Sequence, residues 1–512
     1  MEEAHVGQRN RWLVLVIIGI FAQVLAVVNS DLGLDAHVRL NALNTEGGDG
    51  QALTWGPVRI APDADQFPNS TAQYDGYIPP WSTSEGAMKL TSLTALFGVA
   101  ALSGFVPFWK PTGRRFNPTW PALILLSPVF LFATGRGYDE PVIALLIGLG
   151  ACGYFHNKGE TLPQVRFHLL ALATSLLLVM GWKGFSMLTA FMCWLLTIIL
   201  GMVWIELQHR SFQRGTMLWL QNPWVMGPGV ALLSYGVIFG LGSTSNIGTF
   251  SIIATQPLTF LYASLVAALD TVLLFLLIGF ALWPFLLPAM RTLRGARGQG
   301  LTLLVMFVSG LLAALIAYIA ALWTLEASLW NQSLHETMFL LGNNGRYATC
   351  LLLPTLLILR WDQVEEEEST VSMKHVCVAL LLLLPAILFT SLMGQHHWSQ
   401  DAGEQLELLL VEGDDTLVLI APEALAMHHL YVLKTNVDLD GTHGINAYWR
   451  TPLDFQSLAE DQSVRIDVLI LAPTVELPNG DEQWVLVAEE FAPFTVSNGV
   501  SDSSWKIYRP LE

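Results

Sequence analysis

The sequence predicts a mainly α-helical, polytopic membrane protein with a small C-terminal α/β domain, and three observations carry that prediction. Of the 512 residues, 53% are hydrophobic and only 13% charged, about half the charged share of a soluble domain. Apolar runs near the length of a membrane span recur through the first 395 residues. Beyond residue 400 the pattern changes to short strand-like runs interrupted by one helical stretch.

The apolar runs lie at about 12–29, 88–109, 119–134, 141–155, 166–181, 185–205, 216–241, 262–290, 300–323, 346–360 and 374–394. A span takes about 20 residues, usually about 17–25, so several runs are short and about 11 transmembrane helices are expected. The first run, Trp12 to Val28, has no small-residue cleavage site and is read as a retained helix. With the N-terminus inside, the basic residues sort into alternate loops. Arg9 and Arg11, Lys110 with Arg114 and Arg115, Lys158 and Arg166, Arg210 and Arg214, Arg291 with Arg294 and Arg297, and Arg360 with Lys374 all fall inside. This is the positive-inside pattern, and with an odd number of spans it predicts N-in and C-out.

That topology divides the chain into a membrane domain, 1–395, and an extracytoplasmic domain, 396–512. The membrane domain carries a long first outer loop, 30–87, with an aromatic segment from Tyr74 to Trp81 suited to the interface. Asn69-Ser70-Thr71 and Asn331-Gln332-Ser333 are glycosylation tripeptides on the outer side, a pattern common by chance. In the tail, Leu417–Ile420, Val464–Leu471, Trp484–Ala488 and Trp505–Tyr508 read as strands, and Pro422 to Leu433 as a helix. Strand, helix, strand, strand implies a small α/β fold.

The net charge of −17 excludes a nucleic-acid partner, which needs a basic footprint. Much of the acid is local: Glu365–Glu368 form one run on the inner side, read as a solvated loop. Cys152, Cys193, Cys350 and Cys377 lie in apolar stretches without metal spacing and read as small buried hydrophobes. The sequence shows no internal repeat and no glycine-rich phosphate loop.

Two acidic motifs follow the outer ends of predicted helices. Ser30-Asp31-Leu32-Gly33-Leu34-Asp35-Ala36-His37 comes after the first helix, and Gly135-Arg136-Gly137-Tyr138-Asp139-Glu140-Pro141 after the third. Carboxylates at a membrane edge are costly and tend to serve ions, protons or substrates. Asp31 and Asp35 share a face if the first helix continues through them; simple capping or solvation is the competing reading. Asp139-Glu140-Pro141 equally makes a good helix N-terminus, with acid and proline in the first turn. Together, two such clusters on one membrane face suit a hard divalent cation or a general base beside an anionic leaving group.

Gly135 to Ala144 resembles the second acidic motif of oligosaccharyltransferase catalytic subunits. Leu34-Asp35-Ala36-His37 resembles the first-loop acidic motif of the GT-C superfamily of membrane glycosyltransferases, and Gly345-Arg346-Tyr347 before Leu351-Leu352-Leu353-Pro354 resembles that group's late helix with a phosphate-facing Arg. The overall plan is similar as well. One departure matters: His396-His397-Trp398-Ser399-Gln400-Asp401-Ala402-Gly403 stands where oligosaccharyltransferases carry Trp-Trp-Asp-Tyr-Gly. The resemblance therefore implies monosaccharide transfer from a polyprenyl-phosphate sugar, as in the polyprenyl-phosphate-sugar transferases, to a glycan, lipid or protein acceptor.

What the resemblance implies chemically is an inverting displacement. Asp35 would deprotonate or orient the acceptor, Asp139 and Glu140 would hold the donor or a divalent metal, and Arg346 would pair with the leaving phosphate, a contact that suits guanidinium. Arg136 is a second phosphate contact or a solvated turn residue. His37 orients Asp35 or touches the donor, and Asp31 completes the candidate substrate-binding set. If the reaction is metal-dependent, Mg2+ or Mn2+ would sit on Asp35, Asp139 and Glu140; otherwise no cofactor is implied. The donor lipid, membrane lipid and an active site on the outer face of the cell membrane are the partners and location expected.

Asp270 lies within the eighth apolar run, where an ionisable group is costly; it is either a proton or substrate site or paired within the bundle. His396-His397 and His428-His429 are adjacent pairs whose side chains point apart on a helix, which argues against a metal site. A transporter or flippase of lipid-linked or small polar substrates is the alternative that Asp270 favours. A non-enzymatic scaffold, with a partner-binding outer domain, is the third.

Overall fold

A computed structural model describes residues 2–37, 40, 84–105, 116–183, 185–214, 216–244, 248–329, 332–361, 373–414, 416–421, 426–437, 446–450, 452, 466–477, 483–493 and 503–511. The protein is mostly helical and carries one small C-terminal sheet. Its contacts divide into two units. The membrane unit holds Met1–Asn29, Leu90–Gly135 and Asp139–Met393; the C-terminal unit holds Ser30–Lys89, Arg136–Tyr138 and Gly394–Glu512. Tyr74–Trp81, both glycosylation tripeptides in whole or part, and Glu365–Glu368 lie outside the described residues.

Among the described residues, eight helical segments of the chain are long and apolar enough to cross a membrane: Asn10–Asn29, Glu85–Ser103, Leu162–Trp182, Met187–Arg210, Pro223–Thr244, Pro257–Gly279, Gln299–Ser328 and Lys374–Leu409. Many of their large side chains face outward, among them Leu188, Leu232 and Leu258, each more than 70% exposed. In water such a surface would be a large penalty; against lipid it is the expected one. These helices make this a multi-pass membrane protein.

The other three apolar runs take a different form. The run at 119–134 breaks into Thr119–Leu125 and Pro128–Gly135. The run at 346–360 is a 3-10 helix, Gly342–Leu351, leading into Leu352–Leu359. The run at 141–155 is the short helix Glu140–Phe155. All three are largely buried. A helix apolar all round is either lipid-facing or wholly enclosed, and hydropathy alone does not separate the two. At the first break, side chains serve the freed backbone: Gln23 donates to the Leu125 carbonyl at 2.8 Å and Ser127 Oγ to the Gly279 carbonyl at 3.0 Å. These bonds answer the orphan groups that any helix end leaves. The core around them is aromatic, with Trp120 on Phe285 at 4.3 Å between ring centroids.

Two spans depart from α geometry. Pro257–Leu269 continues as a π-helix over Asp270–Gly279, and Met373–Leu388, with Pro385 inside it, continues as one over Phe389–Met393. π-turns are rare and concentrate at functional positions.

The C-terminal unit contains a helix, Trp398–Leu409, and five strands: β1 Thr416–Ile420, β2 Asn446–Arg450, β3 Val468–Leu471, β4 Trp484–Phe491 and β5 Ser504–Pro510. The order is β2-β1-β3-β5-β4. β1 runs parallel to β2 and β3, and β5 antiparallel to β3 and β4. The helix Ala426–Val437 crosses between β1 and β2. Leu417-Val418-Leu419-Ile420 and Val468-Leu469-Ile470-Leu471 are unbroken apolar runs because both faces of these inner strands are covered. The α/β reading of the tail holds, with the crossover helix in place. β2 was not read as a strand; its Asn446 and Arg450 ends obscure a pattern carried by Tyr448 and Trp449.

Candidate functional site

In the membrane unit the second acidic motif opens the helix Glu140–Ala151. Asp139 occupies the N-cap and a proline follows in the first turn, yet the Asp139 side chain makes no capping bond. Its carboxylate turns to another helix end: Trp182 Nε1 donates to Oδ2 at 3.0 Å, and Lys183 Nζ meets Oδ1 at 3.1 Å. Glu140 pairs with Arg346, whose Nε lies 2.7 Å from Oε1 with both side chains under 5% exposed. Glu140 and Arg346 are 206 residues apart in sequence. The helix-start reading is therefore correct for the backbone, while both carboxylates serve cations.

Arg346 sits in the 3-10 helix Gly342–Leu351. Its Nη1 donates to Asn343 Oδ1 at 2.8 Å and Asn344 Oδ1 at 3.3 Å. Its guanidinium lies 4.9 Å from the centroid of Tyr347 and 6.0 Å from that of Phe132. Lys183 Nζ stands 5.9 Å from the same Tyr347 ring. Tyr347 thus interacts with two cations, each tied to a carboxylate. Arg346 points into protein, and its burial is offset by the Glu140 charge, as a buried ion pair requires. Lys183, Trp182, Asn343 and Tyr347 had no sequence signal marking them as partners of the acidic motif.

The first acidic motif belongs to the C-terminal unit. The helix Glu2–Asn29 stops before it, and only residues 34–37 are helical again. Asp31 and Asp35 therefore do not share a continuous helix face, a correction to the condition set above. Gly33 packs closely there: a Cβ would run into the Tyr138 ring, and its N–H donates to the Arg136 carbonyl at 2.9 Å. Asp31 is bound on both oxygens. Oδ2 accepts the His397 backbone N–H at 2.8 Å, and Oδ1 lies 3.1 Å from His396 Nδ1. Asp31 N–H also donates to the Gln395 carbonyl at 2.9 Å, and Ser30 Oγ accepts from Gln395 N–H at 3.1 Å. These bonds describe a strap, with Asp31 as its centre.

Asp35 is different: its side chain is 56% exposed, and Oδ1 lies 3.3 Å from His428 Nε2. His37 is buried, and burial outweighs the attraction of Asp31 to bring its pKa down to about 4. His429 falls to about 3 through burial first, then the charges of His428, Arg136 and His37. Its Nδ1 lies 2.8 Å from Ser399 Oγ, and its ring 6.3 Å from that of His397. Arg136 is buried in the same neighbourhood. The adjacent histidines do diverge: His428 faces Asp35 while His429 faces Ser399 and Trp398. That three tail histidines, His396, His397 and His428, meet the first acidic motif was invisible, because the partners lie more than 360 residues apart.

Among the described residues no three His, Cys, Asp or Glu side chains stand together as a metal-binding set. Asp139 and Glu140 are each held by a cation, and no step below is routed through Mg2+ or Mn2+. Compared with family models, curated proteins and solved structures, the chain matches none.

Proposed function

We propose that the protein is a GT-C-like glycosyltransferase of the cell membrane, N-in and C-out with about 11 crossings, moving one sugar from a polyprenyl-phosphate donor to an acceptor on the extracytoplasmic face. One observation carries most of the support. The two sequence segments that resemble separate GT-C motifs, Asp139-Glu140 and Gly345-Arg346, meet in a buried ion pair at 2.7 Å. Lys183 adds a second cation beside Tyr347, and two cations near one aromatic ring suit a lipid-linked phosphate.

In this reading the acceptor O–H attacks the anomeric carbon as the bond from that carbon to the phosphate oxygen breaks. The proton passes to Asp35, an exposed carboxylate with His428 beside it. The electron pair leaves with the polyprenyl phosphate, whose charge Arg346 and Lys183 stabilise. Arg136 and His37 support the Asp35 segment, and Asp31 holds the strap that carries it. The test is transfer of labelled sugar from a polyprenyl-phosphate donor by the full chain in liposomes. Asp35→Asn should lower the rate about 100-fold, the usual scale for a lost general base. Unchanged transfer in that variant would remove the reading.

The transporter reading draws support from Asp270, a carboxyl on a π-helix inside an apolar span. Sugar-lipid movement across liposomes without any new glycosidic bond would favour it.

A further inference from the structure

Three elements of the membrane unit leave polar groups unanswered at one place. The 3-10 helix Gly342–Leu351 runs for ten residues, where such helices usually last three or four. Residues three apart eclipse in that geometry, so Asn343, Arg346 and Thr349 form one row. The contact from Arg346 to Asn343 agrees with this. Glu140 Oε2 and Asn344 Nδ2, on side chains bonded to the guanidinium, and Thr349 Oγ1, three residues further along the 3-10 helix, have no hydrogen-bond partner, although these residues are 2%, 4% and 1% exposed. Asp270, opening the π-helix Asp270–Gly279, lies against Gly345: a Cβ on that glycine would stand 2.5 Å from Asp270 Oδ2. That oxygen is buried without a partner as well, while the same carboxyl faces the Gly345 backbone N–H.

Each buried, unmet polar group costs about 1–3 kcal/mol, and native proteins carry only a few per hundred residues, so a cluster of them is more telling than any one. Four on three elements that pack together, two of them helices of rare geometry, suit a polar ligand. The chemistry of the four selects its class. Two are carboxyl oxygens that accept, one is an amide that donates, and one is a hydroxyl that does either. A phosphate offers acceptors only: it suits the guanidinium of Arg346 and the amide N–H, and leaves the two carboxyl oxygens unanswered. A metal ion would face the amide N–H and the guanidinium. Neighbouring hydroxyls on one ring can donate to the first pair and accept from the second.

We infer that Glu140, Asp270, Asn344 and Thr349 form a binding site for a polyhydroxylated ring, the sugar of a glycolipid or a free sugar. The inference takes from the glycosyl-transfer reading only that the ligand is a sugar, and it requires binding alone. Gly345 is part of the design, since any side chain there would push Asp270 and Phe275 away.

The full chain in phosphatidylcholine nanodiscs, free of glycoside detergent, provides the test. The probes are octyl β-glucoside, octyl β-galactoside and octyl α-mannoside, the three free hexoses, and octyl phosphocholine as a chain-matched control. Two readouts apply: the thermal midpoint, and the rate at which a hydrophobic carbodiimide modifies Asp270, followed by peptide mass spectrometry. At least one glycoside should raise the midpoint and slow the modification. Thr349→Val, nearly isosteric, and Asp270→Asn should each weaken its apparent affinity about tenfold, the scale of one lost buried hydrogen bond. Protection by a free hexose would identify a free sugar as the source; protection by the glycoside alone would identify a lipid-linked one. Equal effects from octyl phosphocholine, no effect from any sugar probe, or unchanged affinity in Thr349→Val would each overturn the site. If Asp270→Asn fails to fold, Thr349→Val decides. Sugar binding without transfer would end the transferase reading and leave this site standing; transfer without binding here would do the reverse.

Discussion

The two units hold their carboxylates by different chemistry. In the membrane unit Glu140 is matched by Arg346, whose guanidinium stays protonated at any physiological pH, and Asp139 by the ammonium group of Lys183. In the C-terminal unit Asp31 and Asp35 are matched by His396 and His428, within a group where buried His37 and His429 stay neutral. A buried pair in an apolar surround needs a permanent partner, because losing one charge strands the other. A unit in contact with water can use a partner that titrates. The difference places partners that titrate beside the carboxylates of the C-terminal unit.

Removing one member of the buried pair should break the membrane unit first. Arg346→Ala and Glu140→Ala should each destabilise it by about 3–5 kcal/mol, read as a lowered thermal midpoint in nanodiscs. A double change to Arg346→Met and Glu140→Leu should cost much less than the sum. Additive losses would show that the two side chains do not depend on each other.

Acid should break the C-terminal unit next. His37 and His429 have folded pKa values near 4 and 3 against an unfolded value of 6.5, so the unfolded chain binds more protons between those limits. Stability is therefore full above pH 6.5 and falls as pH drops toward 4 and then 3, by about 1.4 kcal/mol per pH unit for each histidine. Hydrogen exchange in β1 and β3 measured across this range should show the loss, and His429→Gln should reduce its slope while leaving the His37 contribution. A pH-independent profile in the unaltered protein would contradict the burial of both rings.

Smaller effects sharpen the contrast. Lys183→Ala leaves Asp139 with Trp182 and removes a cation that is 37% exposed; a loss of about 1 kcal/mol is expected, shrinking in high salt. Gly137→Ala meets a backbone φ of +67° and should cost about 1 kcal/mol. Arg210→Ala removes an exposed pair with Glu206 and should change stability by less than about 0.5 kcal/mol.

Several features were already legible as sequence. Low charge and recurring apolar runs identified a multi-pass membrane protein, because lipid admits long apolar helices whatever their neighbours are. Leu417–Ile420 and Val468–Leu471 announced buried inner strands through composition alone. Asp139-Glu140-Pro141 announced a helix start through local chemistry. Tertiary structure decided the rest. It determined that the apolar runs at 119–134 and 346–360 are interrupted and buried, since a residue apolar on every side is compatible with lipid or with protein. It joined Glu140 to Arg346 and Asp31 to His397 across hundreds of residues. Periodicity reaches one turn along a chain, whereas the partner of a buried charge is chosen by whichever element packs against it.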